Sequence, residues 1–444
     1  MQQFLIMDEL LKKEEKRIKH GFNRFLRIFG PGLITGAADD DPSGIATYSQ
    51  TGAQFGYGQL WTAIIMLPFQ TAVQEACARI GAVTGKGLAA VVRTNYSRKI
   101  LYAVVLLVVV ANTINIGADI GAMAASARLL LPLPFAVYAL LFTVFVLLLE
   151  IFTSHKKYAK ILKWLAFALL AYPVTAIIAG QNWPEVLRST VTPHLEFTPA
   201  FFFILTGVLG TTISPYMFFW QASEEVEEEI STQKLTSQDS KPHIGKAFLK
   251  NLRIDNALGM IFSEIITWAI IATTASVLHS HGVNNINTAA DAAKALEPLV
   301  STFPNAGFLA KTIFATGVIG IGLMAVPVLA GSASYALSEA FAWKEGLYRK
   351  FKKAHGFYGV ITIATLIGLL INFVGIDPMK ALVFTAVFNG IAAVPLIFVI
   401  AKISSSDKIM GEHKSGNISK TLVWLTFIGM LFSALAIVIT LFIH

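Results

Sequence analysis

Apolar residues fill this chain in long runs separated by short polar stretches. A run of about 20 such residues spans the hydrocarbon core of a bilayer as a helix. Eleven runs of this kind are legible, at 33–57, 61–80, 100–130, 132–152, 161–179, 201–222, 257–278, 306–337, 358–374, 381–400 and 422–443. The pattern predicts an all-α polytopic membrane protein, with a single transmembrane domain over 31–444 and no soluble domain of any size. Residues 1–30 read differently. Phe4, Leu5, Leu10, Leu11, Ile18, Phe22 and Phe25 interleave with seven Lys and Arg, which predicts an amphipathic helix lying on the inner membrane face. A partly ordered tail is the alternative. No long apolar core follows Met1, so this start is not read as a signal peptide.

Composition narrows the class. Hydrophobic residues make up 55% of the 444 positions and charged residues 14%, against about 25% charged in soluble proteins. Mean hydropathy is +0.63. Disordered, collagenous and disulfide-stapled classes are excluded, and a soluble enzyme is disfavoured. Cys77 is the single cysteine, so neither an intrachain disulfide nor a cysteine-rich metal site can form.

The net charge of +8 is a topology signal. The tail and alternate loops (79–99, 156–163, 234–253, 344–353 and 402–420) hold 30 of the 35 Lys and Arg. The others, Arg128, Arg188, Lys294, Lys311 and Lys380, are scattered on or near the opposite side. This asymmetry predicts a cytoplasmic N-terminus. Eleven spans then put the C-terminus outside a plasma (inner) membrane. The lipid bilayer is the expected environment, with no nucleic acid, no resident cofactor and no obligate protein partner. The run Glu224, Glu225, Glu227, Glu228 and Glu229 reads as a solvated helix end leading into a linker, with a regulatory cation site as the weaker alternative.

Polar groups at membrane depth are costly and mark sites. The first span carries Asp39-Asp40-Asp41-Pro42-Ser43-Gly44 in its middle. Pro42 lacks an N–H and disfavours helix at the residue before it, so the helix should break beside Asp41. The sixth span carries Gly210-Thr211-Thr212-Ile213-Ser214-Pro215-Tyr216, where Pro215 frees a carbonyl near Thr211. The first and sixth spans correspond if five helices repeat in inverted topology. Paired interruptions of this kind point to a transporter's substrate site; two proline kinks made for packing are the structural alternative. Glu75, Asp119, Glu264 and Asn389 also lie at membrane depth, as charges or polar groups on a path or as helix–helix contacts. An EF-hand reading of Asp39–Gly44 fails, because its twelfth position is Gln50. No Walker A or H-E-x-x-H sequence is present.

These stretches resemble the Nramp family of divalent metal transporters. The similarity begins at Gly30-Pro31-Gly32 and runs through Asp41-Pro42 and Thr51-Gly52-Ala53-Gln54-Phe55-Gly56-Tyr57. It continues at Gly81-Ala82-Val83-Thr84-Gly85-Lys86 and Arg253-Ile254-Asp255. The resemblance implies a LeuT-type fold: two inverted five-helix repeats plus an eleventh helix, with helices 1 and 6 broken mid-membrane. The departures are chemical. The family's D-P-G-N reads Asp41-Pro42-Ser43-Gly44, so its asparagine is absent. Its M-P-H reads Ser214-Pro215-Tyr216, so its methionine and first histidine are absent. A second histidine falls on Gln221. The acidic pair of the third-span proton route falls on Asn115 and Ala118, with Asp119 displaced by one.

A thioether favours softer metals, whereas carboxylate, hydroxyl, carbonyl and water favour hard ions. The resemblance therefore implies a carrier importing a divalent cation, foremost Mg²⁺ with Mn²⁺ tolerated, like the Nramp-related magnesium transporters. Its metal residues would be Asp41, Gly44, Thr211 and Ser214, with weak or absent proton coupling. Asp39, Asp40, Glu75, Asp119, Tyr216, Gln221, Glu264 and Asn389 are its candidates for path or coupling. Two other readings stand beside it. One is a carrier on the same scaffold for a non-metal solute or anion. The other, in a different class, is an intramembrane aspartyl hydrolase, for which the enzyme signatures are missing.

Overall fold

The computed structural model describes residues 36, 39–152, 169–231 and 244–443. The expected surface helix over 1–30 lies outside the described residues, as do the start of the first span, the first half of the fifth and the basic loop 156–163. Described residues form helices and connecting turns, with no strand among them.

The helices of eight residues or more are α1 (Pro42–Phe55), α2 (Trp61–Thr84), α3 (Leu88–Asn95), α4 (Arg98–Ala127) and α5 (Phe135–Phe152). After these come α6 (Ala171–Ile178), α7 (Trp183–Val191), α8 (Pro199–Thr212), α9 (Pro215–Ser231) and α10 (Lys246–Val277). The last four are α11 (Ala306–Phe341), α12 (His355–Ile371), α13 (Pro378–Ser404) and α14 (Asn417–Ile443). Seven stretches among the described residues are long and apolar enough to cross a membrane, with α8 and α9 counted together. The eleven-span reading adds α1, the polar α2, α6 and the shorter α12.

Local chemistry sets the helix ends. Thr198 caps α8 by accepting from the Phe201 N–H, with Pro199 in the first turn. Asp377 caps α13 in the same way, ahead of Pro378. Proline at this position loses only an N–H that would have no helical partner. α2 ends at Gly85, whose φ of 64° suits glycine.

Packing inside the bundle rests on small residues. A Cβ placed on Gly210 of α8 would stand 2.1 Å from the Ala386 carbonyl oxygen and 2.3 Å from the Gly390 nitrogen of α13. The two backbones therefore touch, as small residues allow between helices in lipid. α1 is wedged against α10 at Gly52, where a Cβ would meet Thr274 Oγ1 at 2.1 Å. Outward faces are apolar: Leu140, Leu141, Phe145 and Leu148 on α5, and Ile428, Phe432 and Leu435 on α14, are exposed.

One expectation is overturned. The acidic run after the sixth span is not a solvated end, because α9 continues through it to Ser231 and Glu224, Glu225, Glu227 and Glu229 are buried. Glu227 accepts from the Tyr335 hydroxyl, the Leu347 N–H at 2.5 Å and the Tyr348 N–H at 3.2 Å. Nearby, Glu339 accepts from the Ala90 N–H at 3.0 Å and the Ser223 hydroxyl at 2.9 Å. These carboxylates cap backbone amides at the ends of neighbouring elements, which is why burial is tolerated. Beyond the end of α11, burial and then the adjacent Glu339 push the Glu345 carboxyl up to about 10.

Two outcomes follow from this packing. Gly210→Val should abolish monodisperse protein on size exclusion, since either the α8 or the α13 backbone must retreat. Glu345 binds its proton more tightly folded than unfolded, so its contribution to stability is lost as pH rises from about 4.5 to about 10. Thermal melts across this range should show a falling Tm in the wild type and a flatter profile in Glu345→Gln.

Candidate functional site

The first break falls where Pro42 forces it. Asp41 is extended, with φ −64° and ψ 173°, and forms the N-cap of α1. Its Oδ1 accepts from the Gly44 N–H at 2.8 Å and the Ser43 hydroxyl at 2.6 Å. Its Oδ2 accepts from Asn115 Nδ2 of α4 at 2.8 Å. The same amide donates to Asp119 Oδ2 at 3.2 Å, and Asn115 Oδ1 accepts from Asn389 Nδ2 of α13 at 3.0 Å. A buried polar ladder, Asn389–Asn115–Asp41, thus crosses three helices, with Asp119 as a branch.

Magnitudes weigh against capping as the whole account of Asp41. An N-cap contributes about 1 kcal/mol, while burying a carboxylate costs several kcal/mol without a cation beside it. Serine or asparagine would cap α1 without that cost. Asp41 is 1% exposed and takes part in no ion pair among the described residues.

The second break lies between Thr212 and Pro215. The Ser214 hydroxyl reaches the Thr211 carbonyl at 2.6 Å and the Gly210 carbonyl at 2.9 Å. A hydroxyl carries one proton, so it satisfies these two oxygens one at a time. Ser214 therefore closes the open end of α8 and keeps a loose carbonyl there.

Tyr48 ties the two breaks together. Its hydroxyl accepts from Thr211 Oγ1 at 2.9 Å and lies 3.2 Å from Thr212 Oγ1. Its ring stands 3.2 Å from where a Cβ on Gly44 would be. The space opened by glycine at position 44 is thus lined by Tyr48, one turn further along α1.

Other candidates are divided by the fold. Asp39, Asp40 and Glu264 collect on the α2 and α10 side of α1: Asp39 accepts from Gln70 Nε2 and from Ser263 Oγ at 3.0 Å, and Asp40 accepts from Ser263 at 3.3 Å. Tyr216 is buried within electrostatic range of Asp41 and Asp119. Two candidates lie elsewhere. Glu75 is paired with Arg79, stands 3.6 Å from Arg253 and accepts from Ser419 at 3.3 Å. Gln221 donates to Glu225 at 3.0 Å, further along α9. Sequence reasoning left Asn115 and Tyr48 out of the site. Asn115 sits one turn from Asp119, and Tyr48 one turn from Gly44; these spacings are the signals that could have found them.

The arrangement offers a buried carboxylate, hydroxyls, carboxamides and a loose carbonyl, all oxygen or amide groups. Among the described residues, no three His, Cys, Asp or Glu side chains stand close enough to hold one metal ion together. Any ion at Asp41 would complete its shell with neutral oxygens and water. Beyond the site, a cavity of about 540 Å³ lined by Gln50, Phe203, Asn285 and Phe384 opens between α1, α8 and α13.

Comparison with known proteins places this geometry. In a Divalent metal cation transporter MntH of Klebsiella pneumoniae, 28% of 395 aligned residues are identical, with 87% of each chain covered. Among solved structures, a manganese transporter of Eremococcus coleocola superposes with a TM-score of 0.72 at 18% identity, over 94% of this chain and 87% of that one. MhsT in complex with L-phenylalanine gives a TM-score of 0.58 at 14% identity, over 93% and 97%. These likenesses establish the LeuT-type fold, with inverted five-helix repeats, an eleventh helix and helices 1 and 6 broken. The sequence profile for natural resistance-associated macrophage protein-like chains matches residues 32–440, and the protein accordingly belongs to the Nramp family.

Proposed function

We propose that this chain imports a divalent metal cation by alternating access, with Mg²⁺ foremost and Mn²⁺ accepted, and without obligatory proton coupling. The observation that carries this reading is Asp41, a buried carboxylate at a helix break whose hydrogen-bond partners are oxygen and amide groups. Hard cations take oxygen ligands, and Mg²⁺ usually retains several waters and uses one or two carboxylates. The names of the MntH relative and of the Eremococcus transporter support a divalent metal and manganese.

Asp41 is the central anionic ligand in this reading. Ser214 and the carbonyls of Gly210 and Thr211 contribute from the second break. Asn115 and Asn389 hold the carboxylate in place, and each can turn an amide oxygen towards the ion. Glycine at 44 leaves room for coordinated water. Serine at 214 and tyrosine at 216 remove the thioether and imidazole that hold softer metals.

Orientation follows the charge asymmetry, with the N-terminus cytoplasmic and the C-terminus outside. The membrane is then the plasma (inner) membrane. A divalent ion moving inward gains about 4.6 kcal/mol per 100 mV, enough to drive accumulation without protons. Asn115 and Ala118 stand at the family's third-span acidic positions, which supports uncoupled uptake.

In proteoliposomes with an inside-negative potential, Mg²⁺ and Mn²⁺ should enter the wild type, while an internal pH dye stays flat. Asp41→Ala should reduce entry at least about tenfold, a loss of about 1.4 kcal/mol. Failure of either ion to enter with folded protein would overturn the reading, and acidification tracking metal entry would overturn the uncoupled mechanism. Competition gives an independent check. Ser214→Met should weaken Mg²⁺ inhibition of Mn²⁺ uptake by about tenfold, because a thioether replaces an oxygen donor.

A further inference from the structure

Three consecutive aspartates do not share one site. Asp41 turns to α4, whereas Asp39 turns to α2 and α10 and Asp40 turns to α10. On α10, Ser263 and Thr267 stand one turn apart and both reach Asp40, while Glu264, beside Ser263, lies within electrostatic range of Asp39 and Asp40. Ser263 donates to Asp39 at 3.0 Å or Asp40 at 3.3 Å, and Thr267 reaches Asp40 at 3.5 Å. Gln70 of α2 donates its amide to Asp39.

In these contacts each aspartate uses one oxygen and leaves the other. Asp39 Oδ1, Asp40 Oδ2, Gln70 Oε1 and both Glu264 oxygens have no hydrogen-bond partner among the described residues. Asp39, Asp40 and Gln70 are 0% exposed and Glu264 is 5% exposed. No ion pair among the described residues includes Asp39, Asp40 or Glu264. Buried acids without a basic partner, each presenting an unused oxygen, are the donor set of a cation site.

We propose that Asp39, Asp40 and Glu264, with Ser263, Thr267 and Gln70, form a second divalent-cation site on the α2 and α10 side of the break. The three carboxyls are not close enough to ligate one ion together. The ion therefore takes direct bonds from one or two of them and reaches the rest through water, the mode of a hard, partly hydrated cation such as Mg²⁺. Its charge offsets theirs and holds α1, α2 and α10 together independently of what Asp41 binds. The site goes beyond the carrier reading, which needs only Asp41 and the two breaks.

The test counts bound Mn²⁺, used as a paramagnetic probe, by electron paramagnetic resonance on the purified full chain. Wild type is compared with Asp41→Ala, Glu264→Gln and the double variant, each first shown monodisperse. The expected result is two ions per wild-type chain and one in either single variant. The double variant should bind at least about tenfold more weakly than either. Asp40→Asn, nearly the same shape as aspartate, should behave as Glu264→Gln does, which separates lost ligation from lost folding. One wild-type ion, lost in Asp41→Ala and kept in Glu264→Gln, overturns the second site and leaves the carrier reading standing. One ion with the reverse pattern upholds the second site and removes Asp41 as the metal ligand. No bound Mn²⁺ in folded wild type overturns the second site, the acids then being neutralised by protons.

Discussion

A helix cannot break in the middle of a bilayer without finding partners for the backbone groups it frees. Lipid offers none, and each unsatisfied group costs several kcal/mol. The two breaks in this protein meet that demand with different chemistry. At the first, the Asp41 carboxylate receives the Gly44 N–H that opens α1. At the second, the Ser214 hydroxyl serves the Thr211 and Gly210 carbonyls that end α8. An anion accepts where donors are free, and a hydroxyl donates where acceptors are free. In the proposed reading the pairing also makes the site, because a carboxylate and a loose carbonyl both hold a hard cation.

Support for the first break comes from distant parts of the chain. Asn115 and Asn389 stand 274 positions apart and meet at 3.0 Å, so the orientation of Asp41 depends on the third and tenth spans packing correctly. A carboxamide suits this role, since it donates and accepts at once and carries no charge of its own. An acid at position 115 would face Asp41 as a like charge.

The sequence was most legible where chemistry is local. Pro42 and Pro215 announce their breaks because the missing N–H acts within a few residues, and the long apolar runs announce their helices because bilayer thickness sets their length. What each of Asp39, Asp40 and Asp41 faces was not legible, since a break lets successive side chains diverge and only the neighbours decide where each goes. Tyr48 was passed over because an aromatic in a span reads as packing until its hydroxyl is seen against Thr211. Glu224, Glu225, Glu227 and Glu229 were misread for a related reason. A run of acids normally marks solvent, and the groups that hold Glu227 here, Tyr335 and the Leu347 and Tyr348 amides, lie over 100 residues further on.

The contact between Gly210 and Gly390 has a mechanical consequence. Two helices whose backbones touch have no side-chain layer to shear, so neither rolls nor slides past the other without collision. On this packing α8 and α13 would move as one lever, with Thr211 at the end of one and Asn389 near the middle of the other as fixed points on it. If the chain works by alternating access as proposed, the opening motion would fall to softer seams, and the Asn389–Asn115 hydrogen bond, which joins this lever to α4, is where displacement would first be felt at Asp41.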